Sequence, residues 1–132
     1  MKKYLILIVA TLLLLSCSHG KTKNFPTVAE PSKAAEVFVI RNNNLFGWGF
    51  SIEVLLNKTV IAKLRSGEHI SFYVEPGFHT IGTKQSQANA PVEEKKKYYF
   101  LISADTTQYG FEIMRISNEK GEAWLTRTKA VK

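Results

Sequence analysis

Two histidines, one arginine and a glycine-flanked pair of aromatic residues are the places where this chain could do chemistry. His69 and His79 stand on either side of Pro76-Gly77. In a simple hairpin centred on that pair the two rings could pair across the strands. Zinc takes three or four protein ligands, so a metal there would also need Glu68 or Glu75. No metal or other cofactor is therefore assigned, and the two histidines remain weak candidates. Nucleophilic catalysis requires a base beside the nucleophile. None of the serines occupies a Gly-x-Ser-x-Gly elbow, so no catalytic residue and no enzymatic activity are expected. Arg41 closes a strongly apolar run, where it would serve as an anion contact or as an ion-pair partner for Glu53. Phe46 and Trp48 alternate with Gly47 and Gly49. Rings on such a loop bury large areas on a partner at small entropic cost, and they would equally close one end of a small core. Tyr73 and Tyr99 are weaker candidates, expected on exposed sheet faces.

Cys17 is the only cysteine. Met1-Lys2-Lys3 is followed by a run from Tyr4 to Leu15 that is apolar except at Thr11, and then by Ser16-Cys17. A short apolar run behind two lysines reads as an export signal, and it is short for crossing a bilayer. Leu14-Leu15-Ser16-Cys17 resembles the bacterial lipobox, in which the cysteine becomes a lipidated N-terminus. Residues 1–16 are thus expected to be a lipoprotein signal peptide and Cys17 the membrane anchor. Each buried CH₂ contributes roughly 0.8 kcal/mol, so more than one acyl chain anchors stably. Ser18 stands where inner-membrane retention usually shows Asp, which points to the outer membrane and its periplasmic side. Cleavage removes Lys2 and Lys3 and leaves 16 basic against 11 acidic residues, a formal charge of +5. An exported chain seldom meets nucleic acid, so that surplus is assigned to a surface suited to an anionic membrane.

Residues 17–34 carry Lys21, Lys23, Pro26, Pro31 and Lys33 with little apolar periodicity, and are expected to be a flexible tether. The domain is expected to occupy 35–132. Glu36-Val37-Phe38-Val39-Ile40-Arg41 has the composition of a strand covered on both faces. Phe50, Ile52 and Val54 alternate with Ser51 and Glu53. Asn57-Lys58 is a two-residue reversal, and 59–64 returns as its partner. Ile70, Phe72 and Val74 share one face of the next strand, and the Pro76-Gly77 turn sends the chain into 78–82. The polar stretch 84–97 is expected to be a mobile loop or a ragged sheet edge. Residues 98–102 and 111–116 complete about seven short strands. Residues 122–127 suit a short helix. This spacing predicts an all-β fold, a single antiparallel β-sandwich.

Val37 to Arg41, Ile52-x-Val54, Val60 to Leu64, Gly67, Val74 to Ile81 and Tyr98-Tyr99 together resemble a family of small Gram-negative lipoproteins of unknown function, similar in pattern to PEGA-type β-sandwich modules. The likeness covers about residues 35–104. It implies a sandwich in the cell envelope and carries no site residues. The function expected from these features is a lipid-anchored, non-catalytic module that binds an envelope protein or glycan. Its alternatives are a small inhibitor or immunity-type lipoprotein acting through the Phe46–Phe50 loop, and a metal-binding factor using His69 and His79.

Overall fold

Val37, Val39, Phe38 and Ile40 are all buried, and a strand with no wet face needs cover on both sides. In the computed structural model, which describes residues 20–43, 49–105 and 110–132, two layers and a helix supply that cover. Among the described residues the strands are β1 (Lys21–Thr22), β2 (Ala35–Arg41), β3 (Ile52–Leu56), β4 (Thr59–Leu64) and β5 (Glu68–Val74). They continue as β6 (Gly77–Gly82), β7 (Gln87–Val92), β8 (Lys97–Asp105), β9 (Gly110–Ile116) and β10 (Lys129–Ala130). The helix α1 spans Asn118–Leu125. One sheet has the order β1-β4-β3-β6-β7 and the other β10-β5-β2-β8-β9. The fold is an all-β sandwich with a short C-terminal helix. The seven expected strands are all present, joined by the two-residue β1 and β10 and by β7.

The first sheet is antiparallel throughout. The second is mixed: β2 runs parallel to β8, and β10 parallel to β5. This corrects the expectation of wholly antiparallel pairing. Parallel neighbours need a long crossover, and the chain between β2 and β8 supplies it by building most of the first sheet on the way.

The Pro76-Gly77 turn differs from expectation in the same sense. β5 pairs with β2 and β10, whereas β6 pairs with β3 and β7. The turn is a corner where the chain leaves one sheet for the other. Gly77 has φ +136, a backbone that side-chain-bearing residues rarely adopt. The Asn57-Lys58 reversal is as expected, with both residues in the left-handed region at φ 49 and 68.

Ile70, Phe72 and Val74 point into the main core with Val37, Val39, Val54, Leu64, Ile81 and Phe100. A second, smaller cluster lies on the outer face of β2, where Phe38, Ile40 and Tyr99 meet Trp124 and Leu125 of α1. Phe38 stacks on Tyr99 at 4.7 Å between centroids. The Tyr99 hydroxyl donates to Glu122, and burial followed by that bond pushes the phenol well above its ordinary pKa. Tyr99 is thus a core residue, whereas Tyr73 is half exposed. The side chain of Ser117 caps α1 by accepting from the Lys120 N–H at 3.3 Å.

The stretch expected as a tether is largely held against the sandwich from Gly20 onward. The Gly20 N–H donates to Glu68 Oε1 at 3.2 Å, Lys23 N–H to the Ile61 carbonyl at 2.6 Å, and Ala29 N–H to Glu75 Oε1 at 2.6 Å. Phe25 rests on Phe72. The residues are polar, but the backbone of Lys21 to Lys23 completes an open sheet edge, a role for which composition gives no sign. In 84–97, Ala88, Ala90 and Val92 alternate with exposed Gln87, Asn89 and Pro91. The ragged edge is an edge strand, where Pro is tolerated.

Gly121 lies flat on Tyr99: a Cβ there would sit 2.1 Å from the ring. Gly121→Ala raises helix propensity by about 1 kcal/mol and still is expected to destabilise the domain, by about 1–3 kcal/mol of overpacking. Urea unfolding of the two proteins checks the sign.

Candidate functional site

At the end of the sandwich where β5 finishes and β6 begins lies an open cleft of about 800 Å³. Phe78 stands at its mouth, 89% exposed. Ile81 is buried three residues later on the same strand, so alternation turns Phe78 to the opposite face. Pro91 is directly across from it on β7. The other wall carries Lys95, Lys96, Lys97 and Arg115. The backbone places these cations. Lys95 is left-handed at φ 60 and its N–H donates to the Ala34 carbonyl at 3.2 Å; the Glu36 N–H donates to the Lys96 carbonyl at 3.0 Å. The Glu93 N–H donates to the Tyr98 hydroxyl at 2.9 Å, and the Arg115 guanidinium lies 4.6 Å from the centroid of the Tyr98 ring.

Acidic groups offset only part of this charge. Glu93 pairs with Lys96, and Glu36 lies 3.8 Å from Lys97. Glu93 holds the Lys96 ammonium above its ordinary pKa, while the Arg115 charge works against it. Such exposed pairs are worth little, so the lysines are available to an anionic partner. An exposed ring beside several cations suits an acidic ligand with an apolar group.

Arg41 lies at the other end. It is buried, at 1% exposure. Nη1 donates to the Phe50 carbonyl at 2.7 Å and the Leu64 carbonyl at 2.8 Å. The guanidinium carbon lies 5.0 Å from the Phe111 centroid and 5.7 Å from that of Phe50. Burial lowers its pKa and the Glu68 charge works against that fall. It therefore ties together the ends of β2 and β4, Phe50 just before β3, and Phe111 at the start of β9. Glu53, the expected partner, is instead bonded to Lys84 at 2.8 Å with Lys63 at 3.8 Å, and the Lys84 bond foremost lowers its pKa.

The two histidines lie in different sheets and do not meet. His69 Nδ1–H donates to Thr128 Oγ1 at 2.8 Å, and that hydroxyl donates to the Trp124 carbonyl at 2.9 Å. His79 accepts from Asn57 Nδ2 at 2.9 Å and donates through Nε2 to the Glu75 carbonyl at 2.7 Å. Both rings are structural links, and among the described residues no group of three His, Cys, Asp or Glu side chains is placed to hold a metal. Residues 1–16, Cys17, Phe46 and Trp48 lie outside the described residues. Phe50, at the end of that aromatic loop, is half exposed and meets Phe111 edge-on at 5.8 Å.

Comparison with family models, with curated proteins and with solved structures returns no match. The cleft has no compact signature in the sequence, because Phe78, the lysines and Arg115 come from three separate stretches of the chain. The outward parity of Phe78 relative to Ile81 was the available signal.

Arg41→Met leaves the Phe50 and Leu64 carbonyls without their donor and is expected to cost about 2–4 kcal/mol, a fall in Tm on the order of 10–20 °C in a thermal scan. Burial lowers the pKa of His69, so the unfolded chain binds this proton first. Its contribution to stability is present above the unfolded value near 6.5 and is lost as pH falls from there toward the folded value. Denaturant titrations at several pH values are expected to show a shallower acid loss for His69→Asn, whose amide replaces the Nδ1 donor.

Proposed function

We propose that this protein is a lipid-anchored, non-catalytic interaction module of the bacterial envelope, and that its distal cleft receives an acidic segment of another envelope protein. The observation that carries this is Phe78, 89% exposed at the mouth of a cleft walled by Lys95, Lys96, Lys97 and Arg115. Exposed large rings with a charged rim are the usual anatomy of a contact site. In this reading Phe78 and Pro91 take an apolar side chain of the partner. The cations take its carboxylates, and Arg115 is oriented by its stacking on Tyr98. Charge of that kind speeds encounter and selects acidic partners. The lipobox-like Leu14 to Cys17 and the apolar run before it support the anchor, with the outer membrane, facing the periplasm, as the location.

The test is crosslinking in intact cells followed by recovery of the protein, comparing wild type with a Phe78→Ala, Lys95→Glu, Lys97→Glu variant. A specific acidic protein recovered with the wild type and reduced about tenfold or more with the variant is the expected result. The three positions are exposed, so circular dichroism is expected to show an unchanged fold. Equal recovery with both, or recovery of glycan alone, overturns the assignment.

A further inference from the structure

Gly20 closes the seam between the free edges of the two sheets. It is buried, and a Cβ on it would lie 2.6 Å from the Lys63 carbonyl oxygen and 2.3 Å from Glu68 Oε2. Immediately after it, β1 adds to β4 with Lys21 opposite Lys63 and Thr22 opposite Ala62. Across the seam, β10 adds to β5 with Lys129 opposite Glu68. The chain is therefore held from residue 20 onward. Three Cα–Cα steps separate Gly20 from Cys17, a reach of at most about 11 Å. An anchor on Cys17 leaves the domain no room to stand off from the bilayer.

The side chains round this seam are basic. Lys21, Lys23, Lys63 and Lys129 are all exposed. Lys21 and Lys63 face each other directly on an antiparallel pair, an arrangement that costs stability when like charges have no counterion. The acids nearby are committed elsewhere. Glu68 is buried and accepts from the Gly20 and Arg65 N–H groups. Glu53 lies 3.8 Å from Lys63 but is bonded more closely to Lys84.

We infer that Lys21, Lys23, Lys63 and Lys129 form a platform that seats the domain on anionic phospholipid headgroups. The distal cleft then points away from the membrane. β5 runs from Glu68 at the platform to Val74 beside the cleft, seven residues or about 20 Å at the usual rise. The orientation rests on attachment at Cys17, and it holds for whatever partner the cleft takes.

The test couples the chain from Cys17 to Lys132 through Cys17, its sole cysteine, to maleimide-bearing vesicles of phosphatidylcholine alone or mixed with phosphatidylglycerol. Acetylation of each lysine is then followed by mass spectrometry. On the anionic vesicles Lys21, Lys23, Lys63 and Lys129 are expected to react about fivefold more slowly than on neutral ones. High salt is expected to remove the difference, and Lys95 to Lys97 to react alike on both. Equal labelling of the platform lysines on the two vesicles, or protection of Lys95 to Lys97 instead, overturns the inference. Gly20→Val, which has no space at the seam, is expected to lose the protection while circular dichroism shows the sandwich intact. Protection that survives in this variant removes the short link as its cause. Because attachment is chemical, failure here is distinct from failure of lipidation in cells, which the mass of the Cys17 peptide reports separately.

Discussion

Burial of β2 on both faces is the constraint from which the rest of this architecture follows. Its inward residues Ala35, Val37 and Val39 need a facing sheet, and its outward Phe38 and Ile40 need a cover of their own. The first requirement accounts for the second layer. The other accounts for α1, which lays Gly121 on Tyr99 and brings Trp124 and Leu125 over the outer face. Ladder hydrogen bonds on both edges of β2 need partners as well, and β5 and β8 provide them.

Those two neighbours arrive in opposite directions, antiparallel β5 and parallel β8. The chain reaches them by alternating between the sheets, and this alternation divides the molecule into two unlike ends. At one end the buried Arg41 guanidinium gathers the carbonyls of Phe50 and Leu64. A charge so placed stabilises only because its donors are used. At the other end the turn at Glu75–Gly77 opens the sandwich and leaves Phe78 outside it. Basic residues occur at both ends, but their surroundings differ. Lys21, Lys63 and Lys129 lie on sheet edges close to the chain's N-terminal side, whereas Lys95 to Lys97 line a concave site.

Polarity misled most where backbone pairing did the ordering. Residues 20–34 have few apolar side chains to announce a strand, yet the open edge of β4 pairs with the backbone of Lys21 to Lys23. Gln87 to Val92 sits within the polar stretch that reads as a mobile loop or ragged sheet edge, although Ala88, Ala90 and Val92 keep a period of two. Small residues carry a weak hydrophobic signal, and the alternation was easy to lose among lysines and glutamates. His69 lies seven residues before Pro76 and His79 two after Gly77, so even a hairpin there would set Val74, and not His69, opposite His79. The turn changes sheets and holds the two rings apart.

The amino-acid sequence by itself determined what depends on local chemistry. Apolar alternation set the seven principal strands and which of their faces is inward, since side-chain direction follows from the pleat. Asn57-Lys58 set a tight reversal because Asn tolerates the left-handed backbone. The composition of β2 set its double burial. Only the tertiary structure decided which strands become neighbours, since register and partner choice depend on residues tens of positions apart. It decided that Pro76-Gly77 changes sheets, that Arg41 bonds carbonyls in place of Glu53, and that Tyr99 faces a helix. It also placed Phe78 beside Lys95 to Lys97 and Arg115. No local pattern encodes that proximity, because it arises from two strands of different sheets ending at the same height.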